Sequence, residues 1–148
     1  MRLTALIFLM ALFFGFSVAR ASATTIMVIS DSAGVYLIDS TTGAVVQSYG
    51  TLFSGSNAQD LAQDLNGNLY VTNASGQLLK STLIPNAPSA ATAYSAAAVV
   101  GSVAGIAASI PRMSFDPTTK YCASGCLVAM SNSNTILWID PATAAVKN

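Results

Sequence analysis

The chain has 148 residues, a formal net charge of zero, and charges on only 8% of its side chains. It contains neither His nor Glu, which excludes Ser-His-Asp and Cys-His catalysis within this chain and argues against zinc, copper and haem sites of the usual kinds. Without a basic excess it also lacks the electrostatic footprint of a nucleic-acid-binding protein. We therefore expect no catalytic residues, no cofactor, no metal site and no nucleic-acid partner.

Residues 1–23 have the three-part layout of a secretory signal peptide. Arg2 supplies the positive start, residues 3–18 form an uncharged apolar run, and small residues follow up to Ala23. The run is shorter than the roughly 20 residues that span a bilayer, so a permanent membrane anchor is the weaker interpretation. We predict cleavage after Ala23, with Ala21 as the alternative. The mature chain would then be secreted, periplasmic or at the cell surface, without a membrane segment.

One sequence motif occurs three times: an apolar strand, a small polar turn and a second strand. The copies are residues 26–43 (IMVISDSAGVYLIDSTTG), 68–80 (NLYVTNASGQLLK) and 126–143 (CLVAMSNSNTILWIDPAT). Branched and aromatic residues bounded by turn formers predict β-strands. With Ile29, Val71 and Met130 taken as equivalent, the copies are 42 and 59 residues apart. Because such a unit cannot bury its apolar face alone, we expect the units to stack.

Asp residues mark the predicted turns. Asp39 and Asp140 each end a strand, where an Asp side chain can accept turn N–H groups, so we interpret them as turn caps rather than a catalytic pair. Asn66-Gly67 predicts a hairpin, and Asp64 and Asp116 precede matching turns.

The alternation of Asp64, Asn66 and Asn68 also resembles the oxygen ligands of a calcium loop. Such a loop needs more acidic positions and a distal Glu, which this chain lacks. A hairpin tip is therefore the favoured interpretation, and calcium is the alternative.

An Ala- and Ser-rich insertion occupies about residues 85–110. No charge occurs from Ser81 to Pro111, and Pro85 and Pro88 break any regular element at its start. We predict a long loop with one or two strands of small residues, and leave open a short helix near residues 90–98. A membrane span is disfavoured because Ala, Ser and Gly contribute little transfer free energy.

Cys122 and Cys126 are the two cysteines of the chain. In an exported protein they predict a disulfide that pins a hairpin. A redox-active pair is the alternative, but three residues separate the two cysteines and no thioredoxin-like pattern surrounds them. Tyr36, Tyr70 and Trp138 fall near equivalent strand positions, where we expect packing between units.

Residues 64–73 (DLNGNLYVTN) are similar to the defining phrase of YVTN-type and NHL-like β-propeller repeats. Residues 35–46 and 136–146 resemble the other half of the same blade. The resemblance implies an all-β fold of antiparallel, propeller-like blades over residues 24–148. Propellers close with about four to eight blades, and this length accounts for about three. We therefore expect an incomplete ring. The favoured interpretation is the front of a longer propeller, and the alternative is a ring completed by another copy.

The favoured function is an exported binding or scaffolding module with an unidentified protein, peptide or glycan ligand. Loops on one face would bind, and Ser81–Pro111 is the longest of them. The first alternative is the N-terminal part of a secreted propeller enzyme, a lyase or dehydrogenase with catalytic residues beyond Asn148. The second is a surface or matrix protein that self-associates through open sheet edges.

Overall fold

The computed structural model describes residues 25–30, 34–54, 60–106, 113–131, 133 and 135–147. The predicted signal peptide lies outside these residues. The described part is all-β, as expected, and its strands form three separate antiparallel sheets, none of which closes on itself. In each sheet, strands that are consecutive in sequence are hydrogen-bonded neighbours.

We name the sheets I, II and III in chain order. Sheet I has three strands: β1 (Thr25–Ile29), β2 (Val35–Asp39) and β3 (Val45–Gly50). Sheet II has four: β4 (Ala62–Gln63), β5 (Leu69–Thr72), β6 (Gln77–Ser81) and β7 (Ala98–Ser102). Sheet III also has four: β8 (Met113–Asp116), β9 (Cys126–Met130), β10 (Ile136–Ile139) and β11 (Val146–Lys147).

The same turn closes one hairpin in each sheet. A polar side chain at the end of the first strand accepts a hydrogen bond from the main-chain N–H four residues later. The main-chain N–H of that polar residue donates to the carbonyl of the same partner, which closes a small ring. The pairs are Ser30 with Gly34, Asn73 with Gln77, and Ser131 with Thr135.

This turn sets the alignment of the three copies. Ser30, Asn73 and Ser131 are equivalent, so Thr72 is the counterpart of Ile29 and Met130. The alignment on Val71 is therefore wrong by one residue, and the true spacings are 43 and 58 residues. All four residues of β5 are buried, so its apolar pattern carries no alternation that would reveal the register.

The three sheets stack face to face through two apolar cores. In each sheet we call one face the front and the other the back, defined by the equivalent residues of the central hairpin. The front of sheet I packs on the back of sheet II through Met27, Ile29, Val35, Leu69, Val71 and Leu79. The front of sheet II packs on the back of sheet III through Tyr70, Leu78, Leu127, Ala129, Leu137 and Ile139. Sheet II is thus covered on both faces.

Asp side chains cap the β2–β3 turn of sheet I and the β10–β11 turn of sheet III, as predicted. Asp39 Oδ1 accepts hydrogen bonds from the N–H groups of Thr41 and Thr42, at 2.8 and 3.0 Å. Asp140 Oδ1 accepts one from Ala142 at 2.9 Å. Both turns end in a residue with positive φ, Gly43 at 71° and Ala144 at 59°.

The insertion is an excursion between β6 and β7. Its described part contains a 3-10 turn at Ala90–Thr92 and strand β7, which agrees with the prediction of a long loop with one or two strands of small residues. The alternative of a helix over residues 90–98 is limited to that single turn. Among the described residues, no helix is long and apolar enough to cross a membrane.

Candidate binding cleft

A cleft of about 540 Å³ lies between sheet I and the insertion. One wall is the end of β3 and the turn that follows it; the other is the insertion, with Leu79 of β6 also contributing. The lining residues are Tyr49, Gly50, Thr51, Leu52, Phe53, Ser54, Leu79, Ala91, Tyr94, Ala96 and Ala97. The segment that we expected to bind thus forms one side of a cleft.

The first wall is shaped by an irregularity in β3. Val35 pairs with Gly50 and Tyr36 pairs with Ser48, so Tyr49 is an extra residue between paired positions. Such a bulge bends the strand and redirects a side chain. Gly50 follows with a φ of 78°, a conformation that glycine adopts without strain. The bulge and the glycine together turn the chain into the wall of the cleft.

The second wall is held by a ladder at the base of the insertion. Ser95 is its main anchor: its N–H donates to the carbonyl of Thr82 at 2.9 Å, and its Oγ accepts from the N–H of Thr82 at 3.0 Å. The hydroxyl of Ser81 donates to the carbonyl of Ser95 at 2.7 Å, and Ile84 N–H donates to the carbonyl of Ala93 at 2.8 Å. These bonds tie the outgoing and returning segments of the excursion to each other and to Ser81 of β6, so the wall is preorganised.

Two tyrosines join the walls. The rings of Tyr49 and Tyr94 make an edge-to-face contact with centroids 5.2 Å apart, a favoured geometry for aromatic pairs. Tyr94 is buried, and its hydroxyl oxygen accepts a 3.4 Å hydrogen bond from Gln63 Nε2. Burial, together with the neighbouring Tyr49, raises the pKa of the Tyr94 hydroxyl, so it stays protonated at neutral pH.

The chemistry of the lining defines what the cleft can hold. None of the lining side chains carries a charge. Thr51 and Ser54 supply hydroxyl groups, and Leu52, Phe53 and the alanines supply apolar surface. The volume lies within the range of about 300–1,000 Å³ that is typical of small-molecule sites. The cleft therefore suits an uncharged ligand that has both apolar surface and hydrogen-bonding groups.

The cysteine pair predicted from sequence lies elsewhere, at the start of β9. Cys122 and Cys126 are at disulfide distance, with Cα atoms 5.3 Å apart, and both are buried. The turn between them includes Gly125 with a φ of 82°. The pair is not part of the cleft, and its position is that of a local pin on the β8–β9 connection.

The Asp64 loop is a hydrogen-bonded hairpin tip. Asp64 Oδ1 accepts from the N–H groups of Asn66 and Asn68, both at 2.9 Å. Asp64 Oδ2 accepts from Asn68 Nδ2 at 2.8 Å and from the Tyr70 hydroxyl at 3.1 Å. Both carboxylate oxygens thus bind donors of the chain itself. Among the residues that the structure describes, no three acidic or cysteine side chains are grouped as metal ligands.

The sequence placed three aromatic residues, Tyr36, Tyr70 and Trp138, near equivalent strand positions. In the structure they do not occupy equivalent positions. Tyr70 lies on the first strand of its hairpin and is buried between sheets II and III, as expected for packing between units. Tyr36 and Trp138 both lie on second strands, but on opposite faces of their sheets. Trp138 instead packs against Tyr121, with ring centroids 4.7 Å apart. Tyr36 and Trp138 are one position apart on aligned second strands, and Tyr70 lies on a first strand, so the three positions are not equivalent.

The chain matches no protein-family model, and no curated protein sequence matches it. Sequence reasoning also missed Tyr49 and Phe53 of the cleft. Neither residue belongs to a recognisable motif, and the bulge that redirects Tyr49 depends on pairing with β2. The geometry of the cleft is therefore the main indication of function.

Proposed function

We propose that this chain is an exported, propeller-type binding module that holds an uncharged peptide or glycan in the cleft between β3 and the insertion. The observation that carries the proposal is the cleft itself. It has a preorganised wall, an aromatic pair across it and an uncharged lining. Repeat proteins place their binding segments in the insertions that interrupt regular units, and this cleft uses the longest one.

Two further observations support the propeller-type part of the proposal. Sheets II and III are four-stranded antiparallel meanders, which is the composition of a propeller blade. The sheets also stack front to back and share the same hairpin turn, as repeated propeller blades do. Export is supported by the composition of residues 1–23 and by a cysteine pair at disulfide distance, which oxidising compartments favour.

The proposal is tested by mapping ligand-induced NMR shifts of the purified chain. The probes are two sets of uncharged compounds: N-acetylated chito-, cello- and malto-oligosaccharides, and tetrapeptides of Ser, Ala, Leu and Tyr that are acetylated at the N-terminus and amidated at the C-terminus. We expect members of one set to shift the amide signals of Gly50, Thr51, Ala91 and Ala96. The set that does so identifies the ligand class.

The matched variants are Ala96→Arg, which fills the cleft, and Ala142→Arg, which places the same side chain on an exposed turn of sheet III. Ala96→Arg should abolish the shifts and Ala142→Arg should leave them unchanged. If no probe at millimolar concentration shifts the cleft residues, or if both variants bind equally well, the proposed function is wrong.

A further inference from the structure

Two faces of the three-sheet stack have no sheet against them in the described chain. One is the back of sheet I, which carries Ile26 and Tyr36; the other is the front of sheet III, which carries Met130 and Ile136. These faces are unusually apolar for a surface: Ile26 is 48% exposed, Met130 46% and Ile136 54%. Exposed apolar patches of this kind mark interaction sites.

Residue equivalence shows what the front face of sheet III is built to contact. Met130 and Ile136 occupy the positions of Thr72 and Leu78 in sheet II. Leu78 packs in the core shared with the back of sheet III, and Thr72 is fully buried. In sheet I the same positions hold Ile29 and Val35, which pack on the back of sheet II. The front of sheet I is therefore covered by the back of sheet II, and the front of sheet II by the back of sheet III.

The same reasoning applies to the back of sheet I. Ile26 and Tyr36 occupy the positions of Leu69 and Leu79, which are buried under the front of sheet I. Val28 and Ile38 complete this face, and cross-strand pairing places Ile26 beside Ile38 and Val28 beside Tyr36. None of these side chains carries a charge, so the desolvation cost of covering the face is small.

The front of sheet III has a shape that can receive such a face. A recess of about 280 Å³ is lined by Met113, Ser114, Val128, Ala129, Met130 and Ile136. At the border of the sheet, Lys147 pairs with Trp138 and lies 3.8 Å from Asp140. Lys120 lies over the ring of Tyr121, which packs on Trp138. The side chains that line the recess carry no charge, and most of them are apolar.

We infer that the back of sheet I from one copy of this chain docks on the front of sheet III of a second copy. The contact repeats the front-to-back packing that already joins sheets I to II and II to III. Because two different faces meet, the interface is heterologous, and it continues from copy to copy until it closes as a ring or grows as a filament. This inference is independent of the cleft, whose residues it does not use.

The test measures the mass of the purified chain by sedimentation over a wide range of concentrations. Ile136→Asp alters the front face, Ile26→Asp alters the back face, and Leu65→Asp is the control because Leu65 is 81% exposed on the β4–β5 turn. We expect the parent chain and Leu65→Asp to form multimers as concentration rises. Either face variant alone should stay monomeric, with unchanged circular dichroism.

Mixing the two face variants gives the decisive measurement. Ile136→Asp retains an intact back face and Ile26→Asp an intact front face, so an equimolar mixture should form dimers and stop there. Val45 pairs with Ile38 and so lies on the back of sheet I. Met130→Lys for the front face and Val45→Lys for the back face repeat the comparison if a first variant fails to fold. A parent chain that stays monomeric at millimolar concentration, or a mixture that stays monomeric, overturns the inference. Multimers that persist in both face variants also overturn it, since they indicate association through other surfaces.

Discussion

The hydroxyl of Tyr70 donates a 3.1 Å hydrogen bond to Asp64 Oδ2. The bond joins two levels of the structure, because the Tyr70 ring lies in the core between sheets II and III while Asp64 organises the β4–β5 turn. Packing of the ring therefore holds the turn, and the turn supplies the partner that a buried phenol requires.

Tyr70→Phe removes this bond and keeps the ring. We expect the free energy of unfolding to fall by about 1 kcal/mol, the usual net value of one hydrogen bond, or somewhat more because the acceptor is charged. Urea denaturation at pH 7 measures the change. Tyr36→Phe, on the partly exposed back of sheet I, is the matched control and should be close to neutral. Equal losses in both variants would contradict the assignment.

Stability should also fall at alkaline pH. Burial of the phenol, and next the negative charge of Asp64, raise the pKa of Tyr70 well above its ordinary value of 10.0. The folded chain therefore holds this proton to higher pH than the unfolded chain does. The stabilisation that comes from the protonated Tyr70 hydroxyl is complete below pH 10 and is lost as the pH rises further. Urea midpoints measured from about pH 8 to about pH 11 should fall less steeply in Tyr70→Phe than in the parent chain.

At acid pH the turn cap of sheet I should lose its contribution. The N–H groups of Thr41 and Thr42 lower the pKa of Asp39 below its ordinary value of 3.8, so the folded chain binds this proton less readily than the unfolded chain. The stabilisation is present above pH 3.8 and disappears as the pH falls. Asp39→Asn keeps an acceptor oxygen without the charge, and its stability should vary less with pH below about 5. Asp39→Ala, which loses the acceptor, should be the less stable variant already at pH 7.

Replacement of both cysteines should lower the free energy of unfolding by a moderate amount. A bridge that closes so short a loop restricts the unfolded chain by about 2 kcal/mol. We expect the double variant Cys122→Ala/Cys126→Ala to lose about that amount, measured by thermal and urea unfolding. Dithiothreitol should destabilise the parent chain by a similar amount and leave the double variant unchanged. A reductant effect of equal size in both proteins would show that it acts elsewhere.

Gly125 should be intolerant of a side chain. Its φ is 82°, and a Cβ built on it would lie 2.5 Å from Phe115 Cζ and 2.8 Å from the carbonyl oxygen of Asp116. Gly125→Ala thus combines backbone strain with a clash against main chain, and we expect a loss of about 2–4 kcal/mol. Gly105 has a similar φ of 80° but open space around it. Gly105→Ala should cost only the strain, about 1–2 kcal/mol, and comparison of the two unfolding curves separates the effects.

The local parts of this structure were predictable. Asn66-Gly67 forms the expected turn, with Gly67 at a φ of 81°, and Asp39 and Asp140 cap the expected turns. Each of these features depends on residues within about four positions of one another. A short polar side chain and a glycine determine such a turn whatever surrounds it.

The alignment of the three sequence copies was harder to predict from the sequence. The residues of β5 are apolar or buried on both faces, so Val71 and Thr72 could not be told apart by alternation of hydrophobic residues. The hydrogen bond from Gln77 N–H to Asn73 Oδ1 resolves the register. The mismatch of Tyr36, Tyr70 and Trp138 has a separate cause, since Tyr70 lies on a first strand while Tyr36 and Trp138 are one position apart on aligned second strands.

The amino-acid sequence by itself determined the strands, the polar turns that join them, the cysteine pair and the lack of histidine chemistry, because each is a property of residue type and short-range spacing. Only the tertiary structure decided which face of each sheet is covered and where the cleft lies. Tyr49 and Tyr94 meet across 45 positions of sequence, and contacts at such distances depend on how whole sheets stack. The free energy that selects them comes from burial summed over many residues, which no single motif carries.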